Sequence, residues 1–233
     1  MTAGRDERWA VVFDFDGVIA DTEPLHYRAF QQVLEPLKLG FGWDEYMAKY
    51  IGFDDRDAFQ AVYRGIGAEL DIETQNAMIR SKAAQFIALA AKSDDVIYDG
   101  VPELMRECRR ARLVLGICSG ALAEDIRGVL GNTGLLDEFE RIVTADDVKA
   151  GKPDPEGYRL AVSQLGVRPG RVVAIEDTPA GITAARSAGV PVVGVTTTHA
   201  SGALRQANLV IGGLNELSAS ILVQVARQGA SAP

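Results

Sequence analysis

The chain has 233 residues, 47% of them hydrophobic, which suits one large domain or two modest ones around a packed core. Its 32 acidic residues outnumber 24 basic ones, the net charge is −8 and no run of Lys or Arg stands out, which argues against nucleic acid or a membrane surface as a partner. The opening Met1-Thr2-Ala3-Gly4-Arg5-Asp6 lacks the apolar core of a signal peptide, no apolar run reaches the length of a bilayer span, and Cys108 and Cys118 have no metal-type CxxC spacing; a soluble, cytoplasmic protein is expected, with Cys118 as a packed core thiol.

The first element is an apolar strand within residues 9–20, running through Val11-Val12-Phe13 and ending in Asp14-Phe15-Asp16-Gly17. Residues 22–96 contain no clear buried strand. Thr22-Glu23-Pro24 reads as a helix start, Leu25, Ala29, Val33 and Leu37 follow at helical spacing, and Gly40 is expected to end the run. Ile79, Ala83, Phe86, Ile87 and Ala90 mark a later helix. From residue 97 to about 227, strands at Leu113–Cys118, Arg141–Thr144, Val172–Ile175, Val192–Val195 and Leu209–Ile211 alternate with helices at 102–111, 121–130, 155–165, 179–188 and 214–227. Gly166 and Gly189 close two of those helices.

Such alternation predicts an α/β fold with parallel strands and crossover helices. The expected domains are a core of residues 1–21 and 97–233 and an all-helical insertion of residues 22–96. Hinges are expected near Asp21-Thr22 and Val96–Tyr98, with the insertion above the strand ends as a lid. The tail Gln228–Pro233 is expected to be loose.

Ligand sites of open α/β sheets lie beyond the C-terminal ends of the strands, where Asp14 stands. Residues i and i+2 of an extended segment face the same way, so Asp14 and Asp16 can converge, and Gly17 lets the chain turn without a Cβ clash. Two carboxylates about 4 Å apart repel by about 4 kcal/mol at an effective dielectric near 20, a cost offset by a proton, a lysine or a metal cation. Three more polar signals follow predicted strands: Ser119-Gly120, Gly151-Lys152-Pro153-Asp154-Pro155 and Glu176-Asp177-Thr178-Pro179-Ala180-Gly181. Each alone has an ordinary explanation: a helix cap, a solvated turn, an acidic helix N-terminus. Together they fall on one edge of one sheet.

In this order the motifs resemble those of the haloacid dehalogenase superfamily, in the branch of the β-phosphoglucomutase-like and phosphoglycolate-phosphatase-like enzymes with a helical cap. The resemblance spans nearly the whole chain. Asp14-Phe15-Asp16-Gly17-Val18 matches the first motif, Ser119 the second, Lys152 the third and Glu176-Asp177 the fourth; Asp21-Thr22-Glu23-Pro24-Leu25-His26 resembles the opening of the cap. It implies a Rossmann-like doubly wound core and a Mg²⁺-dependent phosphatase acting on a small phosphorylated metabolite; a monomer or weak homodimer is expected. Asp14 would be the nucleophile that forms an aspartyl phosphate, and Asp16 the acid and base. The Asp14 carboxylate, the Asp16 carbonyl and Asp177 would hold the metal, Glu176 joining directly or through water. Ser119 and Gly120 would meet the phosphoryl group and Lys152 would offset its charge. His26, Arg56 and Lys82 of the cap are the candidates for substrate contact.

The runner-up function is a phosphomutase. Such mutases follow the second-motif serine with a further serine and lysine, whereas this chain has Gly120-Ala121-Leu122. Dehalogenase chemistry fits poorly because those relatives lack the second aspartate, and the first motif does not suit a phosphonate hydrolase. A catalytically silent binding protein on the same fold is opposed by the intact set Asp14, Asp16, Lys152 and Asp177, a buried-charge arrangement that costs stability without its cation.

Overall fold

The computed structural model describes residues 7–51, 53–93, 96–131 and 133–229. The opening Met1–Asp6, Gly52 and the last four residues of the tail lie outside them. The chain forms two compact units: Met1–Asp21 with Ile97–Pro233, and Thr22–Val96.

The first unit is built on a six-stranded sheet: β1 (Ala10–Phe13), β2 (Val114–Cys118), β3 (Arg141–Val143), β4 (Val172–Glu176), β5 (Val192–Val195) and β6 (Leu209–Ile211). The order is β3-β2-β1-β4-β5-β6 and every pairing is parallel. All residues of β1, β2, β4 and β5 are buried. Burial on both faces is why these strands read as unbroken apolar runs rather than as an alternation. On one face Ala10, Val12, Val114, Val172, Ala174 and Val192 pack with Tyr158, Val162 and Leu165 of α7 (Glu156–Leu165) and Ile182 of α8 (Pro179–Ser187). On the other lie α5 (Val101–Arg110) and α9 (Ala219–Gly229). The chain leaves β1 toward β2 and β3 and later returns to the far side of β1 for β4, β5 and β6, so the strand order reverses at β1. That reversal opens a crevice at the C-terminal ends of β1 and its neighbours.

The helix expected over 214–227 is instead two pieces, a 3₁₀ turn at Leu214–Glu216 and then α9. Leu217 is extended (φ −93°, ψ 153°), Ser218 Oγ accepts from the Ile221 N–H at 3.2 Å and Glu107 accepts from the Ala219 N–H at 3.1 Å. A fresh N-terminus is thus capped in mid-run, which apolar periodicity does not register. Between β2 and β3 lies α6 (Ala123–Leu130).

The second unit contains α1 (Glu23–Leu34), α2 (Trp43–Lys49), α3 (Asp55–Gly65) and α4 (Ile72–Ala90), with no strand among its described residues. Its core gathers Phe30, Leu34, Tyr46, Phe59, Val62 and Met78. The stripe expected through Leu37 stops early. Pro36 cannot donate a helical hydrogen bond, so Glu35–Leu37 tighten into a 3₁₀ turn, Lys38 turns left-handed at φ 60° and Leu37 is left half exposed. Asp54 and Asp71 cap α3 and α4, accepting from the Asp57 and Thr74 amides at 2.8 and 2.9 Å. Among the described residues no helix is long and apolar enough to cross a membrane.

Candidate active site

Asp14 directly follows β1. Its N–H donates to Ile175 of β4 at 2.9 Å, which extends the sheet by one bond and fixes the side chain at the sheet edge. The chain then closes a tight loop: the amides of Ile19 and Ala20 both donate to the Phe15 carbonyl at 2.9 and 3.1 Å, and Gly17 adopts φ +76°. A Cβ on Gly17 would lie 1.9 Å from Asp177 Oδ2, so this position tolerates no side chain. Ser119 follows β2, with its N–H on the Val143 carbonyl at 3.0 Å, and its Oγ accepts from the Ala121 N–H at 2.9 Å, which leaves the hydroxyl proton to be donated elsewhere. Gly120 beside it is exposed and has open space where a Cβ would stand.

Lys152, in the loop before α7, joins the carboxylates. Its ammonium lies 2.8 Å from Asp14 Oδ1 and 2.6 Å from Glu176 Oε1, over the ring of Tyr158. Glu176, the last residue of β4, is fully buried. Its Oε1 also accepts from the Tyr158 hydroxyl at 2.8 Å, and its Oε2 from the Asp177 amide at 3.2 Å and the Thr178 hydroxyl at 3.2 Å. Asp177 is also buried. Its Oδ2 accepts from the Thr198 hydroxyl, while its Oδ1 is sealed from water without any hydrogen-bond partner.

The charges do not balance. Among the described residues, Asp14, Glu176 and Asp177 bring three carboxylates with one oxygen each inside a 4.8 Å cluster, against one ammonium, that of Lys152. Counted as ionised, these four groups leave two negative charges in excess, to which the nearby Asp16 adds. Burial, with help from Glu176, therefore pushes the Asp14 carboxyl well above the usual carboxylate range and that of Asp177 up to about 7. Burial alone would pull Lys152 down, but Asp14 and Glu176 outweigh it and hold its ammonium above the usual lysine range. Burial also raises the Cys118 thiol to about 12, consistent with a packed core cysteine. A divalent oxygen-seeking cation fits this cluster: all donors are carboxylate oxygens, the excess charge is negative, and the orphaned Asp177 oxygen is one that such an ion satisfies.

Asp14, Ser119, Lys152, Glu176 and Asp177 thus share one sheet edge. Asp16 stands half-buried in the β1 loop, near enough that its charge helps raise Asp177. The sequence reading missed three residues here: Tyr158, Thr198 and Thr197, whose hydroxyl donates to the Gly17 carbonyl. A run of hydroxyls immediately after β5, on the edge that carries the acids, is the available signal for the two threonines.

In the helical unit, His26 and Lys82 come together. The Lys82 ammonium lies 2.7 Å from His26 Nδ1 and 2.7 Å from Asp55 Oδ1, a third member that the sequence did not suggest. An ammonium has no lone pair, so in this contact it donates to Nδ1. Lys82 is 1% exposed, beside the Phe30 and Phe86 rings, and His26 stacks on Phe86 at 4.3 Å. Arg56, in the first turn of α3, is exposed; its carbonyl accepts from Gln75 at 2.9 Å.

Residues 11–195 match the family model of the haloacid dehalogenase-like hydrolases. The chain is 32% identical over 206 residues to validoxylamine A 7'-phosphate phosphatase of Streptomyces hygroscopicus subsp. limoneus, covering 88% of this chain and 94% of that one. It is 30% identical over 181 residues to a phosphorylated carbohydrates phosphatase of Thermotoga maritima, covering 78% and 82%. Among solved structures, β-phosphoglucomutase of Clostridium difficile superposes with a TM-score of 0.83 at 25% identity, over 95% of this chain and 98% of that one.

Proposed function

The chain belongs to the haloacid dehalogenase-like hydrolases, and on that premise we propose that it is a Mg²⁺-dependent phosphatase of small phosphorylated metabolites, sugar phosphates among them, working through an aspartyl phosphate. The observation that carries this reading is the buried cluster of three carboxylates, Asp14, Glu176 and Asp177, around the Lys152 ammonium, with one Asp177 oxygen lacking any partner.

Asp14 is the nucleophile. Lys152 and the Phe15 N–H hold its Oδ1 at 2.8 and 2.7 Å, which fixes the carboxylate for attack on phosphorus. Asp14 and Asp177, with the Asp16 carbonyl, would hold the metal. When bound, the cation neutralises charge on the phosphoryl oxygens and lets an anionic nucleophile approach an anionic substrate. Glu176 has both oxygens engaged by protein donors, so its share in the metal is through water, and its direct task is to hold Lys152. Ser119 donates its free hydroxyl proton to a phosphoryl oxygen, beside the open space at Gly120. Asp16 hands a proton to the leaving oxygen and then takes one from the water that opens the aspartyl phosphate. His26 and Arg56 belong to substrate selection; Lys82, expected beside them, is buried at 1% exposure and instead holds the His26 ring. The protein acts in the cytoplasm, as a monomer or weak homodimer.

The test is release of inorganic phosphate from p-nitrophenyl phosphate. Turnover is expected with Mg²⁺, to vanish in chelator, and to be lost in Asp14→Asn without loss of fold. Turnover undiminished by chelator defeats the metal assignment. Interconversion of two sugar phosphates in the presence of a sugar bisphosphate, followed by ³¹P NMR, would replace the phosphatase with a mutase.

A further inference from the structure

Three consecutive threonines follow β5, and each hydroxyl donates to a different element. Thr196 reaches the Ile211 carbonyl of β6 at 3.3 Å, Thr197 the Gly17 carbonyl in the β1 loop, and Thr198 the Asp177 Oδ2 beyond β4. The Thr196 N–H adds a second bond to Ile211 at 3.0 Å, so the loop is anchored from its first residue. The Thr198 oxygen and Asp177 Oδ2 occupy the space that a Cβ on Gly17 would need, 2.7 and 1.9 Å from it. The absent side chain is what lets this hydrogen bond form.

The bond divides the two oxygens of Asp177. Oδ2 is committed to Thr198, and Oδ1 is buried, with no partner of its own. Asp14 is divided the same way, its Oδ1 committed to Lys152 and the Phe15 amide. Each carboxylate is therefore left one oxygen for a cation. Mg²⁺ accepts such single-oxygen ligation in a tight octahedron, whereas Ca²⁺ takes six to eight oxygens and commonly grips a carboxylate by both.

We propose that Thr198 is a positioning residue that holds Asp177 to one-oxygen ligation and thereby makes the site select Mg²⁺ over Ca²⁺. The proposal rests on the metal site of the proposed function. It adds a residue that never touches the ion and a discrimination that the acidic cluster alone does not supply. A two-oxygen grip on Asp177 would require Oδ2 to leave the Thr198 hydroxyl.

The test is calorimetric titration of Mg²⁺ and of Ca²⁺ into substrate-free, metal-stripped protein at pH 8. Thr198→Val keeps the shape and removes the hydroxyl, Thr198→Ser keeps the hydroxyl, and Thr198→Ala covers the case in which valine overpacks the loop. In the valine or alanine variant, Mg²⁺ affinity is expected to fall about tenfold, the scale of one hydrogen bond to a charged group. Ca²⁺ affinity is expected to hold or rise, so the ratio of the two affinities drops by at least tenfold. The serine variant is expected to keep the wild-type ratio. A valine or alanine variant with the wild-type ratio overturns the proposal, as does a serine variant that behaves like valine. Wild-type protein that binds neither ion overturns the metal site itself, and with it the proposed function.

Discussion

The carboxylate of Glu176 fills the space of a missing side chain on Gly181: a Cβ built there would lie 1.8 Å from Glu176 Oε1 and 2.1 Å from Oε2. Gly181 sits in the first turn of α8, where its amide also donates to the capping Thr178 hydroxyl at 3.0 Å. Helix start and acid are thus packed as one piece, and the glycine is required by the acid rather than by the backbone.

Gly181→Ala is therefore expected to expel Glu176 from its pocket, although alanine is the better helix former by about 1 kcal/mol. Lys152 and Tyr158 would both lose their acceptor, leaving buried polar groups unpaired at about 1–3 kcal/mol each. Thermal unfolding is expected to show net destabilisation, and phosphate release to fall at least a hundredfold. An alanine variant as stable and active as wild type would mean that Glu176 can sit elsewhere without consequence.

Among the described residues, Lys152 is the one whose ammonium pairs with the buried carboxylate cluster. Removing one partner of a buried ion pair typically costs about 3–5 kcal/mol, because the remaining charge stays buried. Lys152→Met should show a loss of that order in denaturant unfolding at pH 8 without metal. The loss should shrink as pH falls, since carboxyls already raised by burial take up protons and stop repelling one another. A loss that is the same at pH 5 and pH 8 would contradict the charge bookkeeping.

The sequence carried the frame of this site well. Strands buried on both faces have no solvent side to impose alternation, so Val172–Ile175 and Val192–Val195 stand out as apolar runs, and the polar bursts after them mark the functional edge. What it did not carry are partners fixed only by tertiary folding. Thr197 and Gly17 are 180 residues apart, and a Thr-Thr-Thr loop has no local pattern that names an acceptor. Tyr158 reads as an ordinary apolar helix position; its hydroxyl matters only because Glu176 ends a neighbouring strand. In the helical unit, α2 leaves little trace in the sequence, because it has 7 residues and keeps Trp43 and Met47 exposed, which blurs its apolar face. Asp55 carries no local sign of its role, because its partner Lys82 lies on another helix, 27 residues away.

Asp177 gives a pH dependence with a definite sign. Its carboxyl is pushed up to about 7, chiefly by burial, from an ordinary value of 3.8. Between those values the folded protein binds a proton that the unfolded chain releases, so this group makes metal-free protein less stable as pH rises through that window. Asp177→Asn, which cannot ionise, is expected to be more stable than wild type in chelator at pH 8 and no different near pH 3.5. Wild-type protein should recover stability at pH 8 when Mg²⁺ is added, and the asparagine variant should gain much less. Apparent Mg²⁺ affinity should climb as pH rises toward 7, because the ion must displace a proton. An asparagine variant less stable than wild type at pH 8 in chelator would show that the Asp177 charge is already well compensated by protein groups.

The pair of Lys82 and Asp55 in the helical unit is asymmetric in burial: the lysine side chain is 1% exposed and the aspartate 19%. The two single truncations should therefore differ. Asp55→Ala strands an ammonium away from water, with His26 Nδ1 as its remaining acceptor among the described residues, and is expected to cost about 3–5 kcal/mol. Lys82→Met leaves a carboxylate that water can partly reach, and the thioether chain still fills the space beside Phe30 and Phe86, so a smaller loss is expected. The double variant removes both charges and should recover part of the Asp55→Ala loss, giving a coupling energy of about 2 kcal/mol in a double-mutant cycle by urea unfolding. Coupling below about 0.5 kcal/mol, the range of a solvated surface pair, would mean that the lysine reaches water after all. A Lys82→Met loss larger than that of Asp55→Ala would reverse the burial argument, since it would make the aspartate the more desolvated partner.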